Sequence, residues 1–203
     1  MKTMTAVAAA LFAVAQDKQD GTTYFVGHSP KFVNISFESE ADVETIVGTT
    51  NQATGEISVD FAKQTGSVAL TVPVGSMKTG IDMRDQHMRD KNWLDAATFP
   101  EITFKSKKIE FIKDKANEAD VTGEFTLHGA AREVKIRVQW KELAEAASKK
   151  AGFAEGKWLR FTTTFEVKLS DHGVKVPETA AAKVSNAWTV KMTIFAGTAK
   201  PKK

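Results

Sequence analysis

From Ser67 to Ile194 the chain repeatedly sets apolar side chains at every second position, with polar ones between them. Val68, Leu70, Val72 and Val74 alternate with Ser67, Ala69, Thr71 and Pro73, and Val134, Ile136, Val138 and Trp140 with Lys135, Arg137 and Gln139. Phe161, Thr163, Phe165, Val167 and Leu169 keep the same rhythm, as do Trp188, Val190, Met192 and Ile194. Successive side chains of a strand point to opposite faces, so the pattern predicts sheets that are apolar on one face and wet on the other. Strands are expected near residues 22–26, 32–38, 42–47, 56–61 and 67–74, with turns at 48–55 and 64–66. Later strands are expected near 101–111, 119–127, 132–140, 158–169 and 187–196. Most connections are of hairpin length, which favours an antiparallel meander, because parallel neighbours need crossovers of a dozen or more residues. The expected fold class is therefore all-β, an antiparallel barrel of about eight strands, whose interior is either filled by side chains or left open to a small ligand.

Three segments interrupt the alternation. Residues 80–97 are charged, and Asp82 is placed to cap a short helix there that ends before Pro100. Residues 141–156, with Leu143, Ala144, Ala146 and Ala147, predict a short helical excursion, and residues 171–186 predict a loop. The helical pieces are thus expected at the barrel ends.

Composition narrows the function. Of 203 residues, 42% are hydrophobic and 26% charged, enough for a large core with a wet surface, and the net charge of +3 is too balanced for a polyelectrolyte binder. Aromatic residues fall mostly on the apolar phase of strands, as with Phe61, Phe104, Phe125, Trp140, Phe165 and Trp188, so they belong to an interior and no nucleic-acid partner is expected. The chain has no cysteine, which excludes disulfides, thiolate chemistry and an acylated N-terminal cysteine. The four histidines, His28, His87, His128 and His172, lack metal-ligand spacing, and neither a serine-nucleophile elbow nor a phosphate-cradling loop is present. His128 with Gly129 is read as a turn, and His28 as a residue that bonds neighbouring backbone. The stretch Arg84-Asp85-Gln86-His87-Met88-Arg89-Asp90-Lys91 holds the densest polar chemistry. It predicts either a solvated, salt-bridged helix or a cap over one barrel mouth, where Arg84 and His87 would meet a polar or anionic head group and Asp85 would orient one of them.

Those residues carry a family resemblance. Met83 to Met88, Trp93-Leu94-Asp95 and Phe99-Pro100-Glu101-Ile102-Thr103-Phe104-Lys105-Ser106 resemble the signature of the YceI-like family of polyisoprenoid-binding proteins. There an Arg-Asp-x-His-Leu segment leads to an aromatic-Leu/Phe-Asp group and a Pro-x-Ile-x-Phe-x-Ser strand. Gly123-Glu124-Phe125-Thr126-Leu127-His128-Gly129 is similar to the family's Gly-x-Leu-Thr-Leu-His-Gly hairpin, and His28-Ser29 leads into Phe32 and Phe37 in a similar way. The chain departs at Asn92-Trp93, at Ala131 and Glu133 after the His-Gly turn, and in the longer 141–156 segment. The resemblance implies an extended, lipocalin-like barrel whose apolar cavity holds a long-chain isoprenoid or related lipid, in an exported protein; no catalysis and no cofactor are expected.

The residues expected to line such a cavity are Val68, Leu70, Phe104, Phe125, Ile136, Val138, Phe165, Val167, Val190 and Met192, all on the inner phase. Carriage or sequestration of lipid, with transient contact to a membrane, is the leading expectation. A stress-response or interaction module with a self-filled barrel is its rival, and a lipid-modifying hydrolase or isomerase has no nucleophile and base that can be paired. Lys2, the apolar stretch through Phe12 and Ala13-Val14-Ala15 predict a signal peptide over residues 1–15 ahead of a barrel over residues 16–203, and a periplasmic or secreted location. Intact-mass measurement is expected to find a mature chain that begins at Gln16. Retention of Met1 in a cytosolic fraction would overturn this.

Overall fold

The computed structural model describes residues 21–201; the expected signal peptide lies outside them. Ten strands form one antiparallel sheet: β1 (Thr22–Val26), β2 (Val33–Glu40), β3 (Thr45–Thr50), β4 (Thr54–Asp60), β5 (Thr65–Pro73), β6 (Glu101–Phe111), β7 (Glu118–Leu127), β8 (Ala130–Glu142), β9 (Trp158–Lys168) and β10 (Ala187–Gly197). Two short helices, α1 (Asp82–Arg89) and α2 (Glu145–Lys150), lie between strands.

From β5 to β10 each strand pairs with its successor, so this half is the meander that the hairpin-length connections predict. The N-terminal half is not: β1 pairs with β4 and with β10, which closes eight strands into a barrel, while β2 and β3 form an added hairpin on β10. The edge of β10 is shared. Gly197 meets Phe25 of β1, and Trp188–Ile194 pair with β2.

Inside and outside follow the alternation. In β7 every second residue, from Ala119 and Val121 through Phe125 and Leu127, is buried. Outward neighbours pair their charges across strands: Asp120 binds Arg137 and Lys135, and Lys107 binds Glu133 at 3.2 Å.

Several local expectations are corrected. β3 continues through Gly48 to Thr50, where a turn is expected, because Gly48 lies opposite Phe37 and a side chain there would overlap the Phe37 ring. The aromatic ring covers the glycine and keeps it in the strand. Asp82 is the first helical residue of α1, and the capping position is Ile81, which offers no side-chain bond. At that position Asp82 still complements the helix dipole. Residues 169–186 carry two short 3-10 turns, Leu169–His172 and Glu178–Ala180.

Three of the four histidines end up in turns and packing. His128 and Gly129 form the β7–β8 turn with positive φ of 50° and 70°, and His172, buried, places Nδ1 2.7 Å from the Ala130 carbonyl. His28 packs on Trp158, with ring centroids 4.5 Å apart. Burial lowers its pKa against the opposing effect of backbone bonds with Gly197 and Phe25.

Trp158 covers the closure point. A Cβ at Gly197 would come within 2.7 Å of the indole, so the bare backbone is what lets the ring lie over the seam. Gly197→Ala should therefore overpack this corner and cost about 1–3 kcal/mol. Urea unfolding measures it; no loss would mean that the indole can shift without cost.

Candidate functional site

The barrel interior is packed at two levels with a cavity running between them. One cluster gathers Tyr24, Val26, Ile57, Leu159, Phe161 and Ile194; the other gathers Phe37, Val74, Met77, Leu94, Phe125, Leu127, Leu169 and Trp188. Val190 packs against both. The cavity has a volume of about 170 Å³, and its wall is almost entirely apolar. All ten inner-phase residues, Val68, Leu70, Phe104, Phe125, Ile136, Val138, Phe165, Val167, Val190 and Met192, lie on this wall.

The wall also takes in residues beyond those ten. Met77 and Leu94 come from the irregular strap between β5 and β6, where no alternation marks them, and Ile35, Phe37 and Thr50 come from the added hairpin, Ile35 and Phe37 on the inner phase of β2. Leu94 belongs to the Trp93-Leu94-Asp95 signature, which marks the residue without showing where its side chain goes. Three residues with hydroxyls border the wall: Thr50 shares a hydrogen bond with Ser76 (2.6 Å), while Ser58, bonded to Thr23 (2.9 Å), and Thr103 stand between inward neighbours and turn their side chains to the outer face.

The strap closes one end. Val74 donates to the Pro100 carbonyl, and Thr49 and Lys78 exchange backbone bonds of 2.7 and 2.9 Å, which ties the strap to the outer edge of β3. Val74, Met77 and Leu94 are at most 5% exposed, so this end is shut against water.

Arg84 and His87 are not on the cavity wall. The guanidinium of Arg84 donates to Glu44 Oε1 at 2.7 Å and, through Nε, to the Thr79 hydroxyl at 3.0 Å, so it clasps the strap to the β2–β3 hairpin. His87 is exposed on the outer side of α1. Asp85 touches neither of them directly; it is fully buried and accepts bonds from the Thr79 amide (2.6 Å) and hydroxyl (2.7 Å), with Lys78 and Arg89 at 3.9 and 4.0 Å, and the same Thr79 hydroxyl accepts from Arg84, so Asp85 positions Arg84 through Thr79. The polar density of this segment builds the fastening of a lid.

The opposite end is more open. Phe61, in the β4–β5 turn, lines the cavity and is 43% exposed; its ring lies 5.5 Å from Trp140 and 6.3 Å from Phe111, both also on the wall. Nearby the barrel wall itself loosens. β5 and β6 pair only over Ala69–Pro73 and Glu101–Lys105; beyond that β6 bulges between Ser106 and Lys108, and the Val68 amide donates to the Ser106 hydroxyl at 2.8 Å.

A YceI-like domain model matches residues 28–196. Among relatives, a UPF0312 protein of Pseudomonas savastanoi pv. phaseolicola is 28% identical over 178 residues, which cover 87% of this chain and 88% of the relative. One from Shewanella sp. (strain MR-7) is 29% identical over 168 residues, covering 81% and 83%. Among solved structures, BcnA of Burkholderia cenocepacia superposes with a TM-score of 0.69 at 23% identity, covering 83% of this chain and 99% of that one. A polyisoprenoid binding domain from Saccharophagus degradans superposes with a TM-score of 0.60 at 16% identity, covering 87% and 98%.

Asp85 gives the lid a signature in pH. Burial alone would raise its pKa, but the Thr79 bonds and the charges of Lys78 and Arg89 outweigh it and hold the carboxyl below its ordinary range. The stabilisation is therefore complete above the unfolded value of about 3.9 and is lost as the pH falls through the lower folded value. Asp85→Asn should cost about 1.5–3 kcal/mol at neutral pH. Urea unfolding of both proteins should show curves that are separate at neutral pH and converge in strong acid; a gap that persists in acid would refute the assignment.

Proposed function

The chain belongs to the YceI-like family, and from that membership together with the dry cavity we propose that it binds a long-chain isoprenoid or related lipid inside the barrel and carries or sequesters it without catalysis. The observation that carries the reading is the cavity wall. An apolar lining contributed by nearly every strand suits a hydrocarbon, and the Thr50 hydroxyl at its border is bonded within the protein. The polyisoprenoid binding domain of Saccharophagus degradans, which shares the fold, supports the same ligand class.

Magnitudes set what binding requires. Each buried methylene is worth about 0.8 kcal/mol, so several isoprene units provide a gross drive on the order of ten kcal/mol, much of it offset by lost freedom. The cavity of about 170 Å³ is near the roughly 150 Å³ that accepts benzene and below the roughly 300–1,000 Å³ of common ligand sites. A long chain therefore enters by turning side chains aside. The wall has pliant material for this in Met77 and Met192, whose unbranched side chains repack readily. A soluble carrier of this kind would work in the periplasm or outside the cell, with passing contact at a membrane where lipid is exchanged.

Solvent extraction of the purified protein and mass spectrometry should yield a stoichiometric long-chain lipid. Val138→Trp should then abolish that lipid with little loss of stability, because the ring occupies ligand space. In a self-filled barrel the same change would overpack and cost about 1–3 kcal/mol. An empty extract, together with such a destabilisation, would sink the carrier reading.

A further inference from the structure

The two ends of the cavity differ, and the difference orients the ligand. An amphiphile cannot bury its polar end without partners. At the strap end Val74, Met77 and Leu94 are buried and apolar, and Phe37, Leu127 and Trp188 beside them are buried too. Among the described residues the single buried side-chain polar atom without a partner is Nε2 of His28, which is not on the cavity wall. Nothing inside waits for a head group. At the other end Phe61 is both part of the wall and 43% exposed, and beyond Ala69 the regular backbone pairing of β5 with β6 ends, the Val68 amide turning to the Ser106 hydroxyl instead.

Resting on the lipid-binding reading above, we propose that the aromatic mouth of Phe61, Phe111 and Trp140 is the subsite for the ligand's polar end, with the tail running inward to the Met77–Leu94 strap. The ligand class is a single-tailed amphiphile. Its apolar segment nearest the polar end packs on the three rings, which offer faces and edges within 5.5–6.3 Å of one another, while the polar atoms stay in water. The turns that flank the mouth carry both signs of charge, Lys63, Lys113 and Lys115 with Asp60 and Asp114, so selection there rests on amphipathy and chain length more than on one head-group charge. The same geometry gives the direction of travel: the tail goes in first through the loosened seam, and the polar end is last in and first out.

Of the four tryptophans, Trp140 marks the mouth and Trp188 the strap end, where Trp93 packs against the same cluster, while Trp158 lies off the wall. The test uses the unsubstituted chain and two probes, stearic acid carrying a doxyl spin label near its carboxyl end and stearic acid carrying it near its methyl end. Paramagnetic broadening of the indole N–H resonances, assigned by single Trp→Phe variants, reads the position of the label. The expected result is loss of the Trp140 resonance with the first probe and of the Trp188 resonance with the second. The reverse pattern, or equal loss at both ends with each probe, would overturn the orientation while leaving lipid binding intact. Retention of both signals under saturating probe, with no lipid in the solvent extract, would instead remove the binding reading and this subsite with it.

Discussion

Closing the sheet is the constraint on which the rest of this molecule depends. A two-faced sheet with one apolar side must bury that side, and an open sheet of this length would leave two long edges of unpaired backbone. Here one long strand does both jobs at its free edge. β10 hands Gly197 to β1 and Trp188–Ile194 to β2, so backbone pairing circles the barrel and continues into the added hairpin. The closing contact with β1 is short, and its integrity relies on what covers it: the indole of Trp158 lies directly over Gly197, with His28, Phe32 and Phe153 packed around the ring. Once the wall is closed, its inward side chains face one another across a space they do not completely fill.

The space is asymmetric because the connections are. At one end the link between β5 and β6 is long enough to fold back over the barrel as a strap, and its charged residues are spent on fastening. Asp85 holds Thr79, Arg84 reaches Glu44, and the backbone of Lys78 bridges to Thr49. Met77 and Leu94 become part of the inner wall as a result. At the other end the β4–β5 and β6–β7 connections are short turns that cannot cover anything, and three aromatic rings stand at the rim. A lidded, dry end opposite an aromatic, half-open one is a polarity that an amphiphilic ligand would share.

Much of this was legible in the chain. Alternation located ten strand segments and put Val68, Phe104, Phe125, Ile136 and Val190 on the inner phase, because a period of two is a local property of backbone geometry that each strand expresses by itself. The Arg84–Lys91 stretch stood out as the densest run of polar residues. What local pattern could not supply was a partner. Whether Arg84 meets a ligand or Glu44, forty residues earlier, depends on how the hairpin and strap come together, and nothing in the spacing of either segment encodes that distance.

The sequence by itself determined the fold class, the facing of the strands and the apolar character of the interior, since these follow from side-chain direction and the drive to bury hydrocarbon. Only the tertiary structure decided which strands close the barrel, that Gly48 lies beneath Phe37 within a strand, that Met77 and Leu94 line the cavity, and that one end is sealed while the other is not. Those features are contacts between segments far apart in the chain. Their energies depend on three-dimensional fit, which a one-dimensional pattern constrains only through the faces it makes available.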